Sequence, residues 1–177
     1  VTLCPKCGYA ALNQHFKSIG LAQRKLIKEK VSSSFKGVDN DSMVISYDDA
    51  ILRHKLALLN SVVKSGRLSE RGYICLKTAW VLRGKSEHIM HTTKAKDEVI
   101  ELKKEEKRFL INAYEGFSKA FSEENFPISG MDSDTLAYLL GDIARRIGKY
   151  DEAGRWISQV LISRNASSII KERARNL

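Results

Sequence analysis

The sequence is poor in the ingredients that most fold and function classes require. Its 177 residues contain 2 Pro, 3 Cys and 8% aromatics, and no run of Val, Ile and Thr alternates with polar residues, which argues against a sandwich or barrel. No apolar stretch approaches the roughly 18 residues of a membrane helix, and no apolar leader core follows Val1. Neither membrane span nor secretory signal is therefore expected, and the cytoplasm is the expected compartment. The phosphate-loop pattern G-x-x-x-x-G-K-[ST], the elbow G-x-S-x-G and the dinucleotide fingerprint G-x-G-x-x-G are all missing. The acidic pairs Asp48-Asp49 and Glu123-Glu124 are adjacent in sequence, so on a helix they point to different sides and cannot act together as acid and base. A non-enzyme is expected.

What is present is an ordinary core-forming composition, 43% hydrophobic and 29% charged, in a length that suits one domain with a small appendage. Lys and Arg number 30 against 21 Asp and Glu, a net charge of +9, which favours acidic surfaces without specifying one. The excess is uneven. Between Arg53 and Lys96 ten basic residues face only Glu70 and Glu87, and residues 1–30 hold six against Glu29. These cations are spread over several expected helices, which fits solubility and weak electrostatics. Nucleic-acid binding through the basic surface stays as the alternative.

The periodicities are helical throughout. Ile19, Leu21, Ala22, Leu26 and Ile27 predict an amphipathic helix over 19–30 with a basic outer face, followed by a loop through Ser32-Ser33-Ser34 and Gly37-Val38-Asp39-Asn40-Asp41. Residues 47–83 read as a helical hairpin. Ala50, Ile51, Leu52, Leu56, Leu58, Leu59, Val62 and Val63 supply one face, and Ser65-Gly66-Arg67 is the turn. Ser69 is the expected cap of a second helix that buries Tyr73, Ile74, Leu76, Ala79, Trp80 and Leu82 and stops at Gly84. A long helix over 94–122 carries the stripe Val99, Leu102, Phe109, Ala113, Phe117 and Ala120, with its run of charges in water. Asp132 or Ser133 caps the next helix. Leu136, Leu139, Leu140, Ile143 and Ile147 are its core, Gly148 ends it, and Ala153, Trp156, Ile157, Val160 and Leu161 pack back. A last helix near 169–176 closes the chain.

The order Leu140-Gly141, Gly148, Tyr150, Ala153 resembles the core of the tetratricopeptide repeat, a helix–turn–helix unit of about 34 residues. The fold class expected is all-α, stacked helical hairpins in a tetratricopeptide-like right-handed superhelix over 19–177, with a short zinc-knuckle-like segment over 1–18.

Cys4 and Cys7, with Pro5 and Gly8 shaping the turn, have the spacing at which two thiolates chelate one tetrahedral Zn²⁺. The pair is half a site. His15 is a candidate third ligand, although a lone His beside Phe16 is more often a helix-surface residue. A redox pair and inert thiols are the other readings of the cysteines. Cys75 lies on an apolar helix face and reads as core. His88 and His91 are three apart but lack a Cys partner, and Glu87 precedes both, which is not the H-E-x-x-H order.

The segments Cys4-Pro5-Lys6-Cys7-Gly8-Tyr9-Ala10, Cys75 through Arg83, Glu124-Asn125-Phe126-Pro127-Ile128, and Tyr138 through Gly141 with Arg145 through Tyr150 resemble an uncharacterised bacterial family, the domain of unknown function 2225. Members of that family carry a further Cys-Pro-x-Cys pair upstream of the Cys-Gly-Tyr-Ala element. The resemblance therefore implies that this chain is the C-terminal part of a longer protein whose missing segment supplies the other zinc ligands. It implies no activity. The function expected is a protein–protein interaction module. Its partner-binding groove would be lined by Thr135, Tyr138, Asp142 and Arg145, where Arg145 can grip a peptide carboxylate and Tyr138 offers an apolar body with a polar tip. The competing reading of that face is that the protein's own long helix or C-terminal cap fills it.

Overall fold

The computed structural model describes residues 1–17, 19–38, 44–92 and 95–177. Ser18, Asp39, Asn40, Asp41 and Lys94, which enter the expected boundaries and the loop above, lie outside the described residues. A two-stranded antiparallel hairpin opens the chain: β1 (Thr2–Leu3) pairs with β2 (Ala10–Ala11), with Thr2 opposite Ala11 and Leu3 opposite Ala10. A 3-10 turn, Asn13–His15, follows. Seven α-helices are then found among the described residues: α1 (Leu21–Ile27), α2 (Tyr47–Val63), α3 (Leu68–Thr92), α4 (Lys96–Glu123), α5 (Ser133–Ile147), α6 (Tyr150–Ile162) and α7 (Ser168–Arg175). From α2 onward each helix packs on the next, and α7 also returns to α5. The chain is an all-α stack with a minimal β-hairpin at one end.

The expected helix over 19–30 divides. Leu21, counted on its apolar stripe, is 82% exposed, while Ile27 and Val31 are buried. Beyond α1 the chain widens into a π turn, Lys28–Ser32, in which the Ser33 N–H reaches the Lys28 carbonyl at 3.2 Å. That wider turn carries Val31 into the interior after Ile27.

The hairpin over 47–83 forms, with three corrections. Leu52, Leu59 and Val62 are about half exposed, and the buried face of α2 is Ile51, Ala57, Asn60 and Ser61. Trp80, expected in the core, is 45% exposed, because α2 and α4 cover α3 on two sides and Trp80 faces a third. Gly84 does not end α3, which runs on to Thr92. A Cβ at Gly84 would sit 3.1 Å from the Tyr47 ring, so this glycine admits a close neighbour. The Gly costs about 1 kcal/mol of helix propensity, and burial of Ser86 and Ile89 beyond it carries the helix through.

Ser69 is not a cap that serves its own helix. It lies inside the first turn of α3, and both its N–H and its hydroxyl donate to the Glu124 carboxylate, at 3.0 and 2.6 Å. In α4 the stripe is as expected, with Leu110 and Tyr114 joining it. Glu105, expected in water, is instead half-buried and meets Lys55 at 2.6 Å, and beside it Glu106 meets Arg83 at 2.6 Å. The Asp132 carboxylate accepts from the Thr135 N–H at 2.7 Å and caps α5, while Gly148 ends it at φ +90°. The main core joins α3, α4, α5 and α6 around Phe117, Leu136, Leu140 and Ile143. Tyr114 ties α4 to α6, its hydroxyl donating to the Glu152 carboxylate and accepting from Trp156 Nε1 at 3.0 Å.

Candidate functional site

The six residues between β1 and β2 form the turn that carries both N-terminal cysteines. The Cys4 N–H donates to the Tyr9 carbonyl at 2.8 Å and the Gly8 N–H to the Cys4 carbonyl at 3.1 Å, which folds the turn back on itself. Gly8 takes φ +72°, and a Cβ there would collide with the Phe35 ring at 2.7 Å. Backbone N–H groups of Cys7 and Lys6 reach the Cys4 sulfur and hold its pKa below the usual thiol value. Burial moves Cys7 the other way, and the neighbouring Cys4 adds to that rise, against a backbone N–H from Tyr9. The two sulfurs interact with each other and each receives backbone donors, but only Cys4 is moved toward its thiolate.

The helical stack fixes this turn in place. Asn60, fully buried on α2, donates from Nδ2 to the Gly8 carbonyl at 2.9 Å and to the Leu56 carbonyl at 2.8 Å. Ser32 Oγ donates to the Cys7 carbonyl at 2.8 Å. Leu3, Ala10 and Leu12 share a core with Ala57 and Ile74. Sequence reading passed over Asn60, Ser32 and Phe35. A polar Asn60-Ser61 pair at core positions of an otherwise apolar helix face was the available signal, because a buried amide needs partners.

His15 is turned toward α3, with Nδ1 3.8 Å from Glu70 Oε1. Glu70 in turn pairs with the nearly buried Lys64 at 2.9 Å. Among the described residues no group of three His, Cys, Asp or Glu side chains gathers to hold a metal, so Cys4 and Cys7 stand as a pair. Cys75 is buried, which pushes its thiol up to about 12. His88 is exposed, and its ring lies against Tyr47.

The four residues expected to line a groove lie along α5 but not on one open surface. Tyr138 is half-buried against the cluster that joins Ala137, Val160 and Ala174, the last of these from α7. Asp142 accepts from Arg145 at 3.0 Å and from Arg146 at 2.7 Å. Thr135 is half-buried in the first turn, and Arg145 is exposed at the last. Of the basic residues between 53 and 96, Lys55, Lys64, Arg83 and Lys85 are taken up in ion pairs.

Fold and turn together define a class: a stack of helical hairpins to which a two-cysteine β-hairpin is docked through its backbone carbonyls. The chain belongs to the family of uncharacterized proteins conserved in bacteria (DUF2225), whose model matches residues 1–177. No curated protein matches it, and no solved structure does. No helix among the described residues is long and apolar enough to cross a membrane.

Proposed function

We propose that this chain is a non-catalytic protein–protein interaction module of the cytoplasm, built as a tetratricopeptide-like stack. In this reading the end of α5 receives an acidic peptide, and the Cys4–Cys7 turn is half of a structural zinc site. The supporting observation is the pair Arg145 and Arg146, both held by the single carboxylate of Asp142. Each guanidinium has five N–H donors, so most of the donors on the two side chains stay open to an incoming carboxylate. Tyr138 and Thr135 lie further back along α5, both half-buried. The zinc reading rests on the backbone donors around Cys4, which favour its thiolate. Two thiolates leave a tetrahedral ion two ligands short, and those come from outside this pair. When bound, zinc would cross-link chain segments and supply no chemistry beyond that.

The test is affinity capture with wild type and with Arg145→Ala plus Tyr138→Ala, repeated over a salt series. Loss of a protein partner in the double variant, with modest salt dependence, is expected. A nucleic-acid partner that persists in the variant and weakens steeply with salt, as phosphate contacts do, overturns the peptide reading. For the metal, the intact native protein should carry about one Zn²⁺ per chain, and Cys4→Ser should lose it.

A further inference from the structure

A cavity of about 650 Å³ opens where the N-terminal hairpin meets α2 and α3. Tyr47 and His54 reach it from α2, and Tyr73, Lys77 and Trp80 from α3. Residues 73, 77 and 80 are one and two turns apart, so they form a single stripe along α3. The Lys77 ammonium lies 5.2 Å from the Tyr73 ring centre and 5.0 Å from that of Trp80. Among the described residues Lys77 has no carboxylate partner, and neither Asp nor Glu lines the cavity. Burial is the main cause that holds His54 below the usual histidine value; the hydrogen bond to Ala50 opposes it, and the positive charges at Val1 and Lys77 add to it.

The polar groups are suited to a planar guest. His54 Nδ1 is engaged with the Ala50 carbonyl at 2.7 Å, which fixes the tautomer and leaves Nε2 as an acceptor. Asn13 and Gln14, from the 3-10 turn, add side-chain amides at the rim. The indole N–H of the half-exposed Trp80 has no acceptor among the described residues. Aromatic faces, amides, a neutral imidazole and the Lys77 ammonium form the set that takes a flat heterocycle bearing an anion.

We propose that this cavity binds a nucleotide, with the base against the Trp80 and Tyr47 rings and a phosphate at Lys77. The same chemistry is offered by a free mononucleotide and by an unpaired strand. The inference is independent of the zinc and peptide readings above, since none of its residues belongs to either.

The experiment is calorimetric titration of the full chain with AMP, GMP and a short single-stranded oligoadenylate, with ribose 5-phosphate and a glutamate-rich peptide as competitors. Saturable binding to one site is expected. Binding by mononucleotide as tight as by oligomer identifies the free nucleotide as the source, and binding by the oligomer alone identifies the strand. Trp80→Ala and Lys77→Gln should each weaken binding roughly five- to a hundredfold. Trp80→Phe should restore most of the affinity. Tyr150→Ala, an exposed ring on α6, should leave it unchanged. The two positions are changed separately because Lys77→Gln spares the rings and reports even where Trp80→Ala fails to fold. Absence of saturable binding overturns the proposal. So does wild-type affinity in both cavity variants, ribose 5-phosphate binding as well as AMP, or displacement of nucleotide by the acidic peptide at lower concentration.

Discussion

The hairpins α3–α4 and α5–α6 do the same job by different means. At the α3–α4 crossing two glycines meet: a Cβ on Gly116 would lie 3.0 Å from the Gly72 Cα and 3.1 Å from its backbone nitrogen. At the α5–α6 crossing Gly141 faces the tip of Ile157, whose Cδ1 would be 2.7 Å from an added Cβ. Backbone cannot turn aside, whereas the end of an isoleucine can. The ends of the helices differ in the same way. The first turn of α3 is completed by Glu124, 55 residues away, and the first turn of α5 by Asp132, three residues before Thr135. One hairpin is held by devices that exist only once the chain has folded, and the other by devices its own sequence supplies.

The contrast is sharpest at Gly116. Gly116→Ala should destabilise the protein by about 2 kcal/mol, because overpacking against backbone outweighs the better helix propensity of Ala. Urea unfolding should show a lower midpoint with an unchanged slope, and a midpoint equal to wild type would mean that the helices slide apart freely. Glu124→Ala comes next. It leaves the Ser69 N–H and hydroxyl without their charged acceptor, a loss of about 1.5 kcal/mol. Hydrogen exchange should speed up at the start of α3, although the substitution lies beyond the end of α4.

Asp132→Ala should cost about 1 kcal/mol, the ordinary value of an N-cap, with faster exchange confined to the first turn of α5. Its effect is also set by pH. The backbone N–H of Thr135 is the main cause that holds the Asp132 carboxyl below the ordinary aspartate value of 3.8 in the folded state. The cap therefore contributes fully above that value and is lost as pH falls through the lower, folded one. Wild type and variant should converge in stability at acid pH, and a constant gap down to pH about 2 would remove the carboxylate from the account.

The two hairpins also divide what sequence reading captures. Asp132 and Gly148 act within a few residues of chain, and each was legible as a local signal with a known geometric use. Gly72, Gly116 and Glu124 meet partners about 44 to 55 residues away, and nothing beside them in sequence announces a partner. Trp80 was misread for a related reason. Helical spacing identifies a stripe but does not tell how many neighbours the helix has, and α3 leaves one side to a cavity. At the N-terminus, Cys4 and Cys7 were found from their spacing, while the Asn60 amide that anchors their turn comes from 52 residues further on.

That amide changes what the cysteine turn can be. Gly8 and Leu56 share its two N–H donors inside a core, so the turn is not a pendant that waits for a ligand to give it shape. Hydrogen bonds from the helical stack already fix this stretch, and a guest at the sulfurs would meet a preformed turn. Preorganisation of this kind raises affinity without adding a contact. It also makes α2 a strut: a disturbance at either end of Asn60 is felt at the other.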